Sequence, residues 1–122
     1  MTWRGACLCG AVAFVCAGRA VAAHECHCGQ CRRWSGHVWG YVTLPWASVD
    51  FLRQDGLRWY RHTVKAQRGF CVECGASLFW RADAEDSVDV SAGALEAPTG
   101  LRLGAPSHAE DRGDYCAPGW LA

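Results

Sequence analysis

Seven of the nine cysteines in this 122-residue chain fall into three tight clusters, Cys7-x-Cys9, Cys26-x-Cys28-x-x-Cys31 and Cys71-x-x-Cys74. Sulfurs so close in sequence suit chelation of one ion better than a covalent bridge, which needs a particular separation and angle between its two residues. Zinc in a structural role takes four ligands in a tetrahedron, whereas zinc that does chemistry keeps one position for water or substrate. Seven thiolates divide as four plus three, so the grouping predicts one complete metal site and one incomplete one.

The competing reading of these cysteines, a disulfide framework, belongs to secreted chains. Met1 to Gly10 shows no charged stretch followed by an apolar one, and no segment approaches the length of a membrane span. The expectation is a cytoplasmic protein without membrane contact, its thiols reduced or metal-bound.

A chain of this length makes one domain, taken as residues 1–122, with a core modest enough that metal would help to hold it. In small domains structural zinc contributes about 10 to 16 kcal/mol of apparent binding free energy that is also folding free energy. Twelve Lys and Arg balance twelve Asp and Glu and are scattered, so there is no basic face for nucleic acid. With two dications on seven thiolates, the formal charge falls to −3.

Between glycines and prolines the segments are short and rich in Val, Trp, Tyr and Phe. Val12 with Phe14, Val38 with Tyr41 and Val42, Leu57 to Tyr60, and Val88 with Val90 read as strands. Gly29 to Ser35, closed by Gly36, reads as one helical turn. The fold class expected is all-β, short strands in two sheets tied together by metal.

In extended chain, residues i and i+2 share a face, so Cys7 and Cys9 can reach one ion. Cys71-Val72-Glu73-Cys74-Gly75 is a zinc-knuckle pattern, in which Gly75 would let the backbone pass close to the metal. Joined, the two pairs would close a four-thiolate site; buried free thiols are the plainer alternative. Cys26, Cys28 and Cys31 come from one short segment and can cap one side of an ion while leaving the other open. A second structural site remains the alternative, with its fourth ligand from His24, His27, His108, Cys16 or Cys116.

Cys16 shares an apolar face with Val12 and Phe14 and reads as a small buried hydrophobe, and Cys116 as inert. His27 would point away from the metal of its neighbours, while His37 and His62 look like strand residues. Asp83, Glu85 and Asp86 form a solvated turn, and neither they nor Glu110-Asp111 make a carboxylate pair for acid-base work. Most of the seven tryptophans read as core, with Trp34 and Trp39 placed to wall a pocket beside the three-cysteine loop.

Four ordered blocks cover nearly the whole chain: Gly5-x-Cys7-x-Cys9-Gly10-x-Val12-x-Phe14, Cys26-His27-Cys28-x-x-Cys31-Arg32-x-x-x-Gly36, Gly69-Phe70-Cys71-x-x-Cys74-Gly75-x-x-Leu78 and Gly93-x-Leu95. Together they resemble the glutathione-dependent formaldehyde-activating family, which includes S-(hydroxymethyl)glutathione synthase and centromere protein V. The resemblance implies a zinc-stabilised β-tent of short antiparallel strands with one short helical turn. It implies two Zn2+ per chain, a structural one on Cys7, Cys9, Cys71 and Cys74 and a catalytic one on Cys26, Cys28 and Cys31. That assignment settles which clusters pair, which spacing alone leaves open. It also implies a carbon-sulfur lyase-type activity whose partners are a small thiol, glutathione-like, and formaldehyde or a related aldehyde. Arg32, beside Cys31, would offset the site's charge or meet a substrate carboxylate, although a surface arginine on a helical turn has the same sequence signature. Glu96, Ala109 and Tyr115 depart from the family pattern, all outside the cysteine clusters. A non-catalytic zinc module that binds a protein partner, or a thiol or metal sensor, are the other functional classes such a chain can serve.

Overall fold

Alternation of side chains along the strands divides this protein into a core face and a site face. In the computed structural model, which describes residues 1–116, ten strands and one short helix follow in the order β1 (Thr2–Ala6), β2 (Ala13–Ala17), β3 (Ala22–Cys26), α1 (Gly29–Ser35), β4 (Trp39–Pro45), β5 (Asp50–Arg53), β6 (Leu57–Tyr60), β7 (Ala66–Cys71), β8 (Ser77–Ala82), β9 (Ser87–Ser91) and β10 (Arg102–Leu103). The all-β class with a single helical turn is as expected. The last six positions of the chain, Trp120 among them, lie outside the described residues, and the expected 1–122 domain extends over them.

Strands β1, β2 and β5 form one sheet; the other runs β10-β3-β4-β9-β8-β7-β6. Among the described residues all pairings between strands are antiparallel but one: β10 lies parallel to β3, Arg102 opposite Ala22, where short antiparallel strands are expected. Val42 and Leu44 on β4, Val88 and Val90 on β9 and Phe79 on β8 are buried on the core face, where they meet Phe14 of β2. Phe79 is the hub, its ring 5.0 Å from Phe14, 5.7 Å from Phe51 and 5.9 Å from Trp59.

The intervening residues of the large sheet face the other way. Tyr60 pairs with Arg68, Arg68 with Trp80, Trp80 with Asp89, and Asp89 with Thr43, so one rung crosses five strands. Directly opposed residues share a face. The rung therefore gathers a guanidinium, a carboxylate and aromatic rings from distant parts of the chain onto one surface, and Trp39 and Tyr41 extend it along β4. Cys26, at the end of β3, pairs with Trp39 and so arrives beside that surface.

Some sequence expectations shift. Val12 and Val38 lie just outside β2 and β4, although Val12, Phe14 and Cys16 are all fully buried as their common face requires. His37 and His62 sit in loops, not strands, each beyond the end of a regular element. Asp83 does lie in an exposed turn, and Arg61 grips it through two hydrogen bonds of 2.8 and 3.0 Å.

Candidate metal centres and the cleft beside them

Cys7 and Cys9 converge through a bend, not an extended segment. The chain leaves β1 at Ala6 and doubles back through Gly10, whose φ of +86° favours a residue without a side chain. The bend is held by Cys7 N–H donating to the Val12 carbonyl at 3.0 Å and by Val12 N–H donating to Cys7 Sγ at 3.3 Å. On the other side, β7 ends at Cys71 and turns, Gly75 N–H donating to the Cys71 carbonyl at 2.7 Å. Gly75 is needed for its φ of +77°; no close approach requires it. The close approach falls at Gly56, where an added Cβ would stand 2.9 Å from Cys71 Sγ and 3.0 Å from Ala11 Cβ.

The sulfurs of Cys7, Cys9, Cys71 and Cys74 all lie within 4.8 Å of one another, with Cys7 to Cys9 and Cys9 to Cys71 both at 3.8 Å. Four sulfurs about 2.3 Å from a central zinc stand about 3.8 Å apart at the corners of a regular tetrahedron. The donor set and its spacing therefore fit the ion. Hydrogen bonds favour the ionised form at two corners: the backbone N–H of Ala76 brings the Cys74 thiol down to about 6, and although burial pushes Cys7 up, the Val12 N–H and neighbouring sulfurs bring it below its usual value.

Cys26, Cys28 and Cys31 form the second group, also within 4.8 Å of one another. Cys26 closes β3; Cys28 caps α1, its sulfur accepting from the Cys31 N–H at 3.4 Å; Cys31 lies one turn into the helix. Gly36, at φ +96°, ends the helix with its N–H on the Arg32 carbonyl at 2.8 Å. The hydrogen bond between Cys31 and Cys26 holds Cys26 low and Cys31 high, burial adding to the rise at Cys31 and Arg68 opposing it.

Among the described residues no other Cys, His, Asp or Glu joins these three sulfurs, and residues 117–122 contain none of these types. Cys16 is in the core, where burial pushes its thiol up to about 11. His27 is fully buried on the far side, near Glu25 at 3.6 Å and edge-on to His37. His24 meets the Ala105 carbonyl at 2.9 Å, and Cys116 lies 3.9 Å from His37. His108 borders the same cavity but groups with Glu110 and Asp111.

The three sulfurs face a cavity of about 440 Å³ walled by Trp39, Tyr41, Trp80, Asp89 and Ser107, with Arg68 at its edge. The Thr43 hydroxyl donates to Asp89 at 2.7 Å, and burial pushes the Asp89 carboxyl above its usual range. The Tyr41 hydroxyl donates to Ser107 at 3.2 Å. Arg68 is 4 % exposed, donates through Nη2 to Gln30 at 3.3 Å and to Cys31 Sγ at 3.7 Å, and leaves Nη1 without a hydrogen-bond partner. A second cavity of about 400 Å³ adjoins, sharing Gln30 and Arg68 and lined further by Arg33, Trp34, Tyr60 and His62.

Trp34 and Trp39 therefore both wall pockets beside the three-cysteine loop, one in each cavity. Arg32 instead donates through Nε to the Asp111 carbonyl at 3.1 Å, bracing a segment at the cavity rim. Sequence reasoning missed Arg68, Asp89, Tyr41 and Ser107. The available signals were a polar residue breaking a valine strand at Asp89 and an arginine three positions before Cys71.

A search of curated proteins finds no match. Among solved structures, a crystal structure of a Rhodobacter sphaeroides protein is similar, at 24% identity and a TM-score of 0.66, covering 85% of this chain and all of that one, a likeness of fold. The family model described as glutathione-dependent formaldehyde-activating enzyme matches residues 2–109, the stretch that carries all seven clustered cysteines, and the chain belongs to that family.

Proposed function

We propose that this protein is a zinc-dependent carbon-sulfur lyase-type enzyme that joins a small thiol to formaldehyde or a related aldehyde. Cys7, Cys9, Cys71 and Cys74 would hold a structural Zn2+, and Cys26, Cys28 and Cys31 a catalytic one. The observation that carries the reading is the group of three sulfurs, without a fourth protein ligand among the described residues, opening on a cavity of about 440 Å³. When bound there, zinc supplies a position for a visiting sulfur and lowers the pKa of that thiol, making it a nucleophile at neutral pH.

The chain's own groups perform the rest. Trp39 and Trp80 wall the cavity and limit water around the reacting carbon. The thiol sulfur attacks the carbonyl carbon, forming the carbon-sulfur bond as the C=O π electrons move to oxygen. That oxygen takes up the proton the thiol gave up, so the adduct is a hemithioacetal and nothing is oxidised or reduced. Asp89, whose carboxyl burial holds above its usual range, is a group in the cavity suited to carry this proton at Oδ, while Thr43 fixes its orientation. Arg68, beside Cys31, offsets negative charge accumulated on the sulfurs. Arg32 steadies the rim through Asp111.

The test is exchange NMR on the zinc-loaded protein with formaldehyde and several thiols, glutathione included. Acceleration of hemithioacetal exchange, lost in Cys28→Ser, is expected. Exchange no faster than without protein, for every thiol tried, would refute the proposal.

A further inference from the structure

Each of the three sulfurs that face the cavity has a hydrogen-bond donor of its own. Cys28 Sγ accepts from the Cys31 N–H at 3.4 Å, and Cys31 Sγ from Arg68 Nη2 at 3.7 Å. Cys26 is held low first by its hydrogen bond with Cys31, and the Cys28 N–H and the Ser107 hydroxyl also favour its ionised sulfur. Beyond β10 the chain continues along β3 and places Ser107 beside Cys26 as an isolated parallel bridge. Two backbone bonds clamp it there: the Ser107 N–H donates to the Glu25 carbonyl at 2.8 Å, and the His27 N–H donates to the Ser107 carbonyl at 3.0 Å. A serine hydroxyl has one proton to give and two lone pairs to receive. Because the Tyr41 hydroxyl donates to Ser107 Oγ at 3.2 Å, it occupies a lone pair and leaves the Ser107 proton for the sulfur. Linked hydroxyls polarise one another, which strengthens the last bond of the series.

These donors bear on a competition inside the site. Formaldehyde is an electrophile for any thiolate, the protein's own included. A cysteine that added to it would form a carbon-sulfur bond, the carbonyl oxygen taking up a proton, and the site would lose a thiolate ligand. A sulfur that accepts a hydrogen bond must give it up to attack carbon, so each donor slows the sulfur it touches.

We propose that Ser107, oriented by Tyr41, shields Cys26 from electrophiles, as the Cys31 N–H and Arg68 shield the other two sulfurs, so that the aldehyde is taken by the visiting thiol and not by the cysteines. Ser107 and Tyr41 are thus positioning residues that select which sulfur reacts. The inference rests on the thiol-aldehyde reading above and deepens it.

The experiment alkylates zinc-loaded protein with iodoacetamide, from which the attacking sulfur displaces iodide, with no thiol or aldehyde present. Tandem mass spectrometry locates the first group added to each chain, and zinc content is followed in parallel. Alkylation at Cys26 should be about tenfold faster in Ser107→Ala than in wild type, with Cys28 and Cys31 unchanged. Ser107→Thr, which keeps the hydroxyl, should restore the slow rate, and Tyr41→Phe should fall between. A wild-type rate at Cys26 in Ser107→Ala overturns the proposal. So does equal acceleration at all three sulfurs, which marks collapse of the site and not loss of one donor. Should Ser107→Ala fail to retain zinc, Tyr41→Phe decides, since it keeps the ring and loses only the hydroxyl: selective acceleration at Cys26 of at least twofold supports the shield, and less refutes it. Selective shielding without accelerated hemithioacetal exchange would sink the proposed reaction and leave the shield standing. Accelerated exchange with Cys26 equally reactive in every variant would do the reverse.

Discussion

Arg68 places its Nη2 3.7 Å from Cys31 Sγ, and only three residues later the same strand delivers Cys71 to the four-sulfur cluster. At about 3.3 Å per residue, β7 carries the chain about 10 Å from Arg68 to Cys71 and so ties the two cysteine groups together as a strut. One centre is therefore braced by the strand that the other anchors.

That strut predicts an asymmetry. Cys28→Ser removes a sulfur from the three-cysteine loop, which hangs from the end of β3 and caps a short helix, so the chain should keep its fold and lose one of the two zincs proposed. Cys71→Ser removes a fully buried member of the four-sulfur group and frees the end of β7, so both zincs should go. The free energy at stake is about 10 kcal/mol or more, comparable with the whole stability of a small domain. Zinc per chain after gel filtration, with circular dichroism melts, decides it; equal losses in the two variants would rule out the strut.

Gly56 offers a second test. A methyl group there would sit 2.9 Å from Cys71 Sγ and 3.0 Å from Ala11 Cβ, neither of which is the free end of a flexible side chain. Gly56→Ala should destabilise the protein by about 1 to 3 kcal/mol, the usual penalty of overpacking. It should also weaken zinc retention at the four-sulfur site while leaving ligation by Cys26, Cys28 and Cys31 intact, read by competition with a chromophoric chelator.

How much of this was legible in the sequence follows from distance along the chain. The members of the three-cysteine group fall within six residues, so spacing alone brings them together, and Gly36 marks the end of α1 where the structure has it. Strands β6 and β9 were visible from alternation and their turn residues. The rest of the site is a cross-strand rung, Tyr60, Arg68, Trp80, Asp89 and Thr43, whose members become neighbours only through a strand order that no local pattern states. Asp89 carries no paired-carboxylate signature because its surroundings are a threonine hydroxyl and the aromatic walls of the cavity. Gly75 was credited with a close approach that belongs to Gly56, since a glycine in a motif is visible and one brought in by β6 is not.

Arg68 also acts on the acidity of its neighbour Cys31, which the hydrogen bond to Cys26 and burial push up. Its charge lowers the Cys31 thiol against the opposing effects of Cys26 and burial, and zinc binds only the ionised sulfur. Removing the charge should raise the pH at which the three-sulfur site lets go of its metal. Zinc release titrated from pH 8 downward should begin at higher pH in Arg68→Gln than in wild type, with Arg68→Lys intermediate. Coincident curves would show that the guanidinium does not act on Cys31.

Asp89 offers a test that joins the proposed catalysis to stability. Burial raises its carboxyl above the 3.8 of a free aspartate, outweighing the Thr43 hydrogen bond, so between the unfolded and folded values the folded state holds a proton that the unfolded state gives up. For an acid shifted in this direction, stability present below the unfolded value is lost as pH rises from there through the folded value. Asparagine keeps the shape and can still accept from Thr43, but carries no charge to bury. The stability of Asp89→Asn relative to wild type should therefore improve with rising pH, with the variant ahead at pH 8 and its advantage smaller at pH 5, measured by urea unfolding in excess zinc. Hemithioacetal exchange should move the opposite way, falling about a hundredfold or more if this carboxyl carries the proton. A variant that gains stability and keeps its exchange rate would reassign the proton to another group, and one that loses both would make Asp89 a structural residue. Gain of one with loss of the other is the pattern expected where a fold retains a costly buried charge for its chemistry.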